Sequence, residues 1–211
     1  EETIVQNYMR AQDLFNLKNS MQFLKTHSSL LKGFTSPKQT LGAIYIVRDP
    51  RKVVISYANH FNISIGKATD QLLNFATLGG INPKDKNRRT VTTHLTSWPL
   101  HFKSWKAFDK KRFLLIKFED LVNDTEETFL KMLKFVHQII GKQFVTDNEK
   151  IQNILKSTSF KNLQKLEKET YFPEKAKYEN ISKTFFKDGP NSIEKNVLDE
   201  KLRQKIEFYL S

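Results

Sequence analysis

The chain has 211 residues, a formal net charge of +12, a hydrophobic fraction of 38%, 17 Phe and no Cys. That supports one domain with a real core, while the lack of Cys excludes disulfides and cysteine-ligated metal and fits a reducing compartment. The basic excess implies an anionic partner, yet Lys is interleaved with Asp and Glu without a like-charged block, which argues against a nucleic-acid tail.

No apolar run approaches the ~18 residues of a membrane span, and the opening Glu-Glu-Thr-Ile-Val-Gln has no signal-peptide layout. Ile4, Val5, Tyr8, Leu14, Phe15 and Leu17 predict a first segment ordered against a core. Residues 21–27 predict a short strand with a polar end. Residues 41–47, apolar and β-branched, predict a strand buried on both faces, as in a parallel sheet. Asp49 and Pro50 then supply an N-cap acceptor and a residue whose missing N–H costs nothing in the first helical turn. Val53, Val54 and Tyr57 fall at helical spacing and face back to the sheet.

Ile65, Ala68, Leu72, Phe75 and Ala76 predict a helix over 63–78, ended by Gly79-Gly80. Residues 82–93 are polar and predict a mobile loop. Leu100, Trp105 and Phe108 share one face of a helix over 97–108, and 112–118 predict a second buried strand. Asp124 caps the next helix, with Glu127 at the capping-box position and an apolar stripe of Phe129, Met132, Leu133, Val136 and Ile140, closed by Gly141. Helices over 147–156 and 199–210 flank an irregular stretch, 170–196. Strands alternating with helices define an α/β class with a parallel sheet. No glycine-rich phosphate loop occurs in the chain.

Arg48 ends the 41–47 strand, at the edge where open α/β sheets bind ligands, and Ser56 lies two turns into the helix beyond. An arginine, a hydroxyl and a helix N-terminus make an anion site. The plainer alternative is a corner whose Arg48 pairs with a neighbouring carboxylate. His27 is a general-base candidate, and Lys25, two residues before it, can stabilise developing negative charge. The alternative there is a solvated surface loop. His60, His94, His101 and His137 are the other imidazoles; His94 and His101 are seven apart with no Asp, Glu or Cys at ligand spacing, so no metal is expected.

Residues 47–57, Val-Arg-Asp-Pro-Arg-Lys-Val-Val-Ile-Ser-Tyr, resemble the 3′-phosphate-binding segment of the sulfotransferase family of cytosolic and bacterial type. That family uses 3′-phosphoadenosine 5′-phosphosulfate (PAPS). The resemblance implies that Arg48 and Ser56 hold the nucleotide's 3′-phosphate. Lys25-Thr26-His27 resembles the segment whose histidine deprotonates the acceptor and whose lysine contacts the sulfuryl group. Ser97-Trp98, His101 and Trp105 resemble the helix beside the acceptor pocket, where a packing role is expected. Lys117-Phe118-Glu119-Asp120-Leu121 resembles a Tyr-Glu-Asp-Leu segment near the adenine. Phe118 in place of Tyr keeps stacking and loses a hydroxyl.

Thr158-Ser159-Phe160 resembles a further adenine contact, which assigns Thr158 and Phe160 to the cofactor. Phe185-Phe186-Lys187-Asp188-Gly189 resembles the Arg-Lys-Gly loop that closes over the 3′-phosphate, so Lys187 and Gly189 join the cofactor set. Asp188, where a Lys is usual, puts a negative charge beside a phosphate. The dimerisation motif of some members is not recognisable around 195–202.

The implied fold is a three-layer parallel sheet flanked by helices, resembling the P-loop-like sulfotransferase fold, as a single domain over 1–211. The family's opening strand–loop–helix, which cradles the 5′-phosphosulfate, is missing from this numbering. The natural protein is therefore expected to carry one more βα unit upstream, ~30 residues or more, and residues 1–211 alone are expected not to form a soluble monomer. The implied activity is in-line transfer of a sulfuryl group from PAPS to a hydroxyl or amine of a small-molecule acceptor. Cytoplasmic location is implied, with no metal, no nucleic acid and no transmembrane segment. Two alternatives stand beside it: a non-catalytic relic that binds adenosine bisphosphate, and a basic nucleic-acid-binding module.

Overall fold

The structure, a computed structural model, describes residues 21–31, 40–82, 85–170, 177–178, 181–182, 184–186, 189 and 198–210. The apolar positions of the first seventeen residues, together with Lys187 and Asp188, lie outside the described residues. The expected strand over 21–27 is not formed: those residues are irregular and exposed. An extended segment becomes a strand only when a neighbour takes up its backbone groups, and no described strand pairs with this one.

The first strand is β1 (Ala43–Val47). It leads through Arg48 into α1 (Pro50–Phe61), which begins as its sequence requires. The Arg51 N–H donates to Asp49 Oδ1 at 2.9 Å, and Pro50 fills the first turn. Pro50, Val54, Ile55 and Ala58 are the buried positions, a stripe displaced slightly from the expected Val53, Val54 and Tyr57. Asn62 ends the helix at φ +53, its N–H returning to Ala58 O. Asn is one of the few residues with a side chain that visits this region routinely.

α2 (Ile65–Leu73) is shorter than the expected 63–78. The chain then forms an antiparallel hairpin of β2 (Thr77–Asn82) and β3 (Asp85–His94), pairing Thr77 with His94 and Asn82 with Asp85. This replaces the loop expected over 82–93, and Gly79-Gly80 lies inside a strand instead of closing a helix. The register shifts between Leu78 and Gly80, where a glycine accommodates a bulge. The β-branched run Thr90-Val91-Thr92-Thr93 outweighs the polar composition that suggested a loop.

α3 (Trp98–Lys106) and a 3₁₀ turn at Lys110–Arg112 precede β4 (Phe113–Lys117). There follow α4 (Phe118–Asn123), α5 (Thr125–Ile139), α6 (Asn148–Ser157) and α7 (Phe160–Glu169). β5 (Lys177–Tyr178) pairs antiparallel with β6 (Ile181–Ser182), and α8 (Glu200–Leu210) is last.

Asp124 occupies the N-cap position of α5, but its side chain makes no capping hydrogen bond. The short α4 ends on this same residue, its N–H bonded to Asp120 O at 2.8 Å, so the preceding helix sets its backbone. Two later helices do carry acidic side-chain caps. Asp147 Oδ1 accepts from Lys150 N at 3.0 Å, and Asp199 Oδ1 from Leu202 N at 2.7 Å.

β1 and β4 are hydrogen-bonded neighbours in a small parallel sheet within a helix-rich α/β chain. Ile116 is 2% exposed, whereas Ile46 and Leu115 are 49% and 36% exposed. Burial on both strand faces is therefore not met, because no described element fully covers those two side chains. By its internal contacts the chain divides into two compact units. One holds the described residues through Tyr45 with Asp70–Leu115; the other holds Ile46–Thr69 with Ile116–Tyr209.

Candidate functional site

The six described cofactor residues of the seven expected all fall in the second unit. Arg48 sits between β1 and α1, and Phe118 opens α4 directly after β4. The structure brings the two together, with the Arg48 guanidinium 4.5 Å from the centroid of the Phe118 ring. The ring expected to stack on adenine thus carries the arginine expected to hold a phosphate, an attraction that orients the guanidinium plane. Burial lowers the pKa of Arg48, and the charges of Glu119 and Asp49 oppose that shift. An arginine remains protonated in either case.

The second arginine of this corner, Arg51, is already engaged. Its Nη2 lies 2.8 Å from Asp49 and its Nη1 3.1 Å from Glu207. Ser56 is exposed on α1, and Lys52 of the same helix lies 3.7 Å from Glu119.

Phe160 and Gly189 also meet. A Cβ on Gly189 would stand 3.7 Å from the Phe160 ring, and Gly189 has φ +65. Phe186 lies edge-on to Phe160 at 5.9 Å. Thr158 is exposed, its Oγ1 donating to Ile154 O at 2.8 Å as α6 ends.

Phe185 and Phe186 are tied to α7 by Glu167, a residue the sequence gave no reason to single out. Its side chain is buried, and its two carboxylate oxygens accept the N–H groups of Phe185 at 2.5 Å and Phe186 at 2.9 Å. Gln164 Nε2 donates to Phe186 O at 2.7 Å. A buried carboxylate needs such donors to offset its desolvation. In a helix as rich in Lys as Phe160–Glu169 the pattern suggests a solvated charge instead.

Gly189→Ala should cost about 1–2 kcal/mol, through the left-handed backbone and not through crowding, since 3.7 Å is an ordinary contact. Hydrogen exchange at the Phe185 and Phe186 amides should then accelerate. Unchanged exchange would show that Gly189 does not support those two amides.

Lys25 and His27 belong to the first unit. Both are exposed, and the Ser28 N–H donates to Thr26 Oγ1 at 3.1 Å, a local turn. Beyond His27 the chain becomes buried: Ser29 is 1% exposed. His101 on α3 reaches the carbonyl oxygen of His27 through Nε2 at 3.1 Å and the Tyr45 hydroxyl through Nδ1 at 2.9 Å. A carbonyl only accepts, so Nε2 carries the proton and Tyr45 donates to Nδ1. Burial pushes the Tyr45 pKa up to about 12, keeping that hydroxyl protonated. Burial also lowers the pKa of His101. The hydrogen bond to His27 opposes that shift, and the charge of His27 adds to it. Nothing in the sequence linked Tyr45, His101 and His27, which are far apart in the chain.

Among the described residues no three His, Cys, Asp or Glu side chains gather as metal ligands would, and no helix is long and apolar enough to cross a membrane.

The sequence model of the sulfotransferase domain matches residues 2–210. Luciferin sulfotransferase of Photinus pyralis is 24% identical over 213 residues, covering 95% of this chain and 51% of that protein. Sulfotransferase 2A1 of Homo sapiens is 28% identical over 145 residues, covering 66% of this chain and 44% of that one. The chain thus spans about half the length of the curated relatives it matches.

Among solved structures, retinol dehydratase in complex with androsterone and the inactive cofactor PAP matches with a TM-score of 0.58. Identity there is 17%, over 90% of this chain and 52% of that one. Mouse sulfotransferase SULT7A1 complexed with PAP matches with a TM-score of 0.53 and 16% identity, over 82% and 57% of the two chains. These likenesses carry the α/β fold.

Proposed function

The chain belongs to the sulfotransferase domain family, and on that premise we propose that the protein transfers a sulfuryl group from PAPS to a hydroxyl or amine of a small-molecule acceptor. The observation that carries the reading is Arg48, at the carboxyl end of a parallel strand and the start of a helix, aligned on Phe118. Such a planar, permanently charged group suits a phosphate monoester. The residues fit the nucleotide in kind. Arg48 and Ser56 would hold the 3′-phosphate, Thr158 and Phe160 would contact the adenine, and Lys187 with Gly189 would close over the phosphate. Phe118 would serve the base indirectly, by fixing Arg48.

When bound, PAPS supplies an activated sulfuryl group whose departure leaves adenosine 3′,5′-bisphosphate. The protein's part is positioning and charge. His27 takes the acceptor proton as the new S–O or S–N bond forms, and Lys25 stabilises negative charge developing on the transferred group. A cytoplasmic location belongs to the same proposal.

Incubating the full-length protein with labelled PAPS and a panel of phenols, alcohols and amines tests it. The expected result is acceptor-dependent release of adenosine 3′,5′-bisphosphate in equal amount to sulfated product. Tight binding of the bisphosphate with no acceptor-dependent release would instead favour the non-catalytic relic.

A further inference from the structure

We propose that α3 is a backbone clamp for the segment carrying His27, with His101 as the residue that positions it. The proposal rests on the reading of His27 as the general base. His101, Ser104 and Trp105 are spaced so that they share one helix face, and each takes a different backbone group of the same short segment. His101 Nε2–H donates to His27 O at 3.1 Å, and Trp105 Nε1–H donates to Ser28 O at 2.9 Å. The Leu30 N–H donates to Ser104 Oγ at 3.0 Å.

The residues leading into the helix continue the pattern. The Ser29 N–H donates to His94 O at 2.9 Å and its hydroxyl to Leu95 O at 2.8 Å. Thr96, whose Oγ1 lies 2.6 Å from Ser29 Oγ, sits at φ +57. A β-branched residue occupies that region only where its surroundings impose it. A helix that merely packed here would meet the segment with apolar side chains. Instead every backbone carbonyl or amide named from 27 to 30 has its own polar partner.

Tyr45 completes the device. Its hydroxyl fills Nδ1 of His101, which leaves the imidazole proton on Nε2, the nitrogen that faces His27 O. A general base works only within hydrogen-bond reach of its proton, and a displacement of about 1 Å can cost on the order of 10²-fold in rate.

Two variants of His101 in the full-length protein separate positioning from bulk structure. In His101→Gln the amide nitrogen can take the place of Nε2 and still donate to His27 O. In His101→Asn the shorter amide reaches only the place of Nδ1. The expected kcat of His101→Asn is about tenfold below that of His101→Gln, the scale of one hydrogen bond, with an unchanged KM for PAPS in both. In a His27→Ala background the two variants should not differ.

Equal kcat in the two variants, with His27→Ala inactive, overturns the clamp and leaves the base assignment standing. A difference that persists without His27, or that lies in KM alone, also overturns it. Retained turnover in His27→Ala overturns the base reading and the clamp's purpose together. Should the His101 variants fail to fold, Tyr45→Phe keeps the ring but frees the imidazole tautomer. Its kcat should fall about three- to tenfold, and an unchanged kcat overturns the role given to His101.

Discussion

Replacing His27 with Ala in the full-length protein lowers turnover at least about 10²-fold, the usual scale for a positioned general base, while affinity for adenosine 3′,5′-bisphosphate stays as it was. The split follows from the role: a general base acts on the acceptor's proton, and no nucleotide contact is assigned to it. The backbone of the 27–30 segment is also held from the side, by His101, Trp105 and Ser104. Loss of the imidazole removes the proton acceptor and leaves those backbone contacts in place. Single-turnover rates and a calorimetric titration on the same preparation measure both quantities. Retained turnover would leave His27 a structural residue and move the base elsewhere.

Arg48→Ala should weaken adenosine 3′,5′-bisphosphate by roughly ten- to a hundredfold, since a charge-assisted phosphate contact is worth about 1.5–3 kcal/mol. The stacking on Phe118 adds a graded series that a simple point charge would not give. Arg48→Lys keeps the charge but loses the planar group that lies over the ring, so it should recover only part of the loss. Phe118→Leu removes the ring beneath the Arg48 guanidinium and should cost less than Arg48→Ala, about 0.5–2 kcal/mol. Ser56→Ala should be the mildest of the set. If Arg48→Ala and the parent protein bind equally well, the 3′-phosphate does not sit at this corner.

The corner from 41 to 61 was legible because every local signal there agrees. β-branched residues run up to Val47, Asp49 caps, Pro50 opens the first turn, and the apolar stripe of α1 follows. The helices after Asp147 and Asp199 were legible for the same reason, each carrying an acidic cap that the structure uses. The β2–β3 hairpin was not, because its polar residues and two glycines describe a loop by composition, and antiparallel pairing is settled by the partner strand. The strand expected over 21–27 failed in the opposite direction, since a short segment that no described strand pairs with stays irregular. Of the candidate site, the identity of Arg48 and Phe118 was readable from the chain, and their contact was not. Glu167 was hidden altogether. Its burial depends on two backbone amides some twenty residues away that no sequence period connects to it.

The claim that everything else depends on is that Arg48 and its helix recognise the 3′-phosphate of an adenine nucleotide. Calorimetric titration of the full-length protein with adenosine 3′,5′-bisphosphate and, separately, adenosine 5′-phosphate isolates that one group. The account predicts that the bisphosphate binds at least about tenfold tighter, and that this preference shrinks towards unity in Arg48→Ala. Equal binding of the two nucleotides by the parent protein, or a preference untouched by Arg48→Ala, would contradict it.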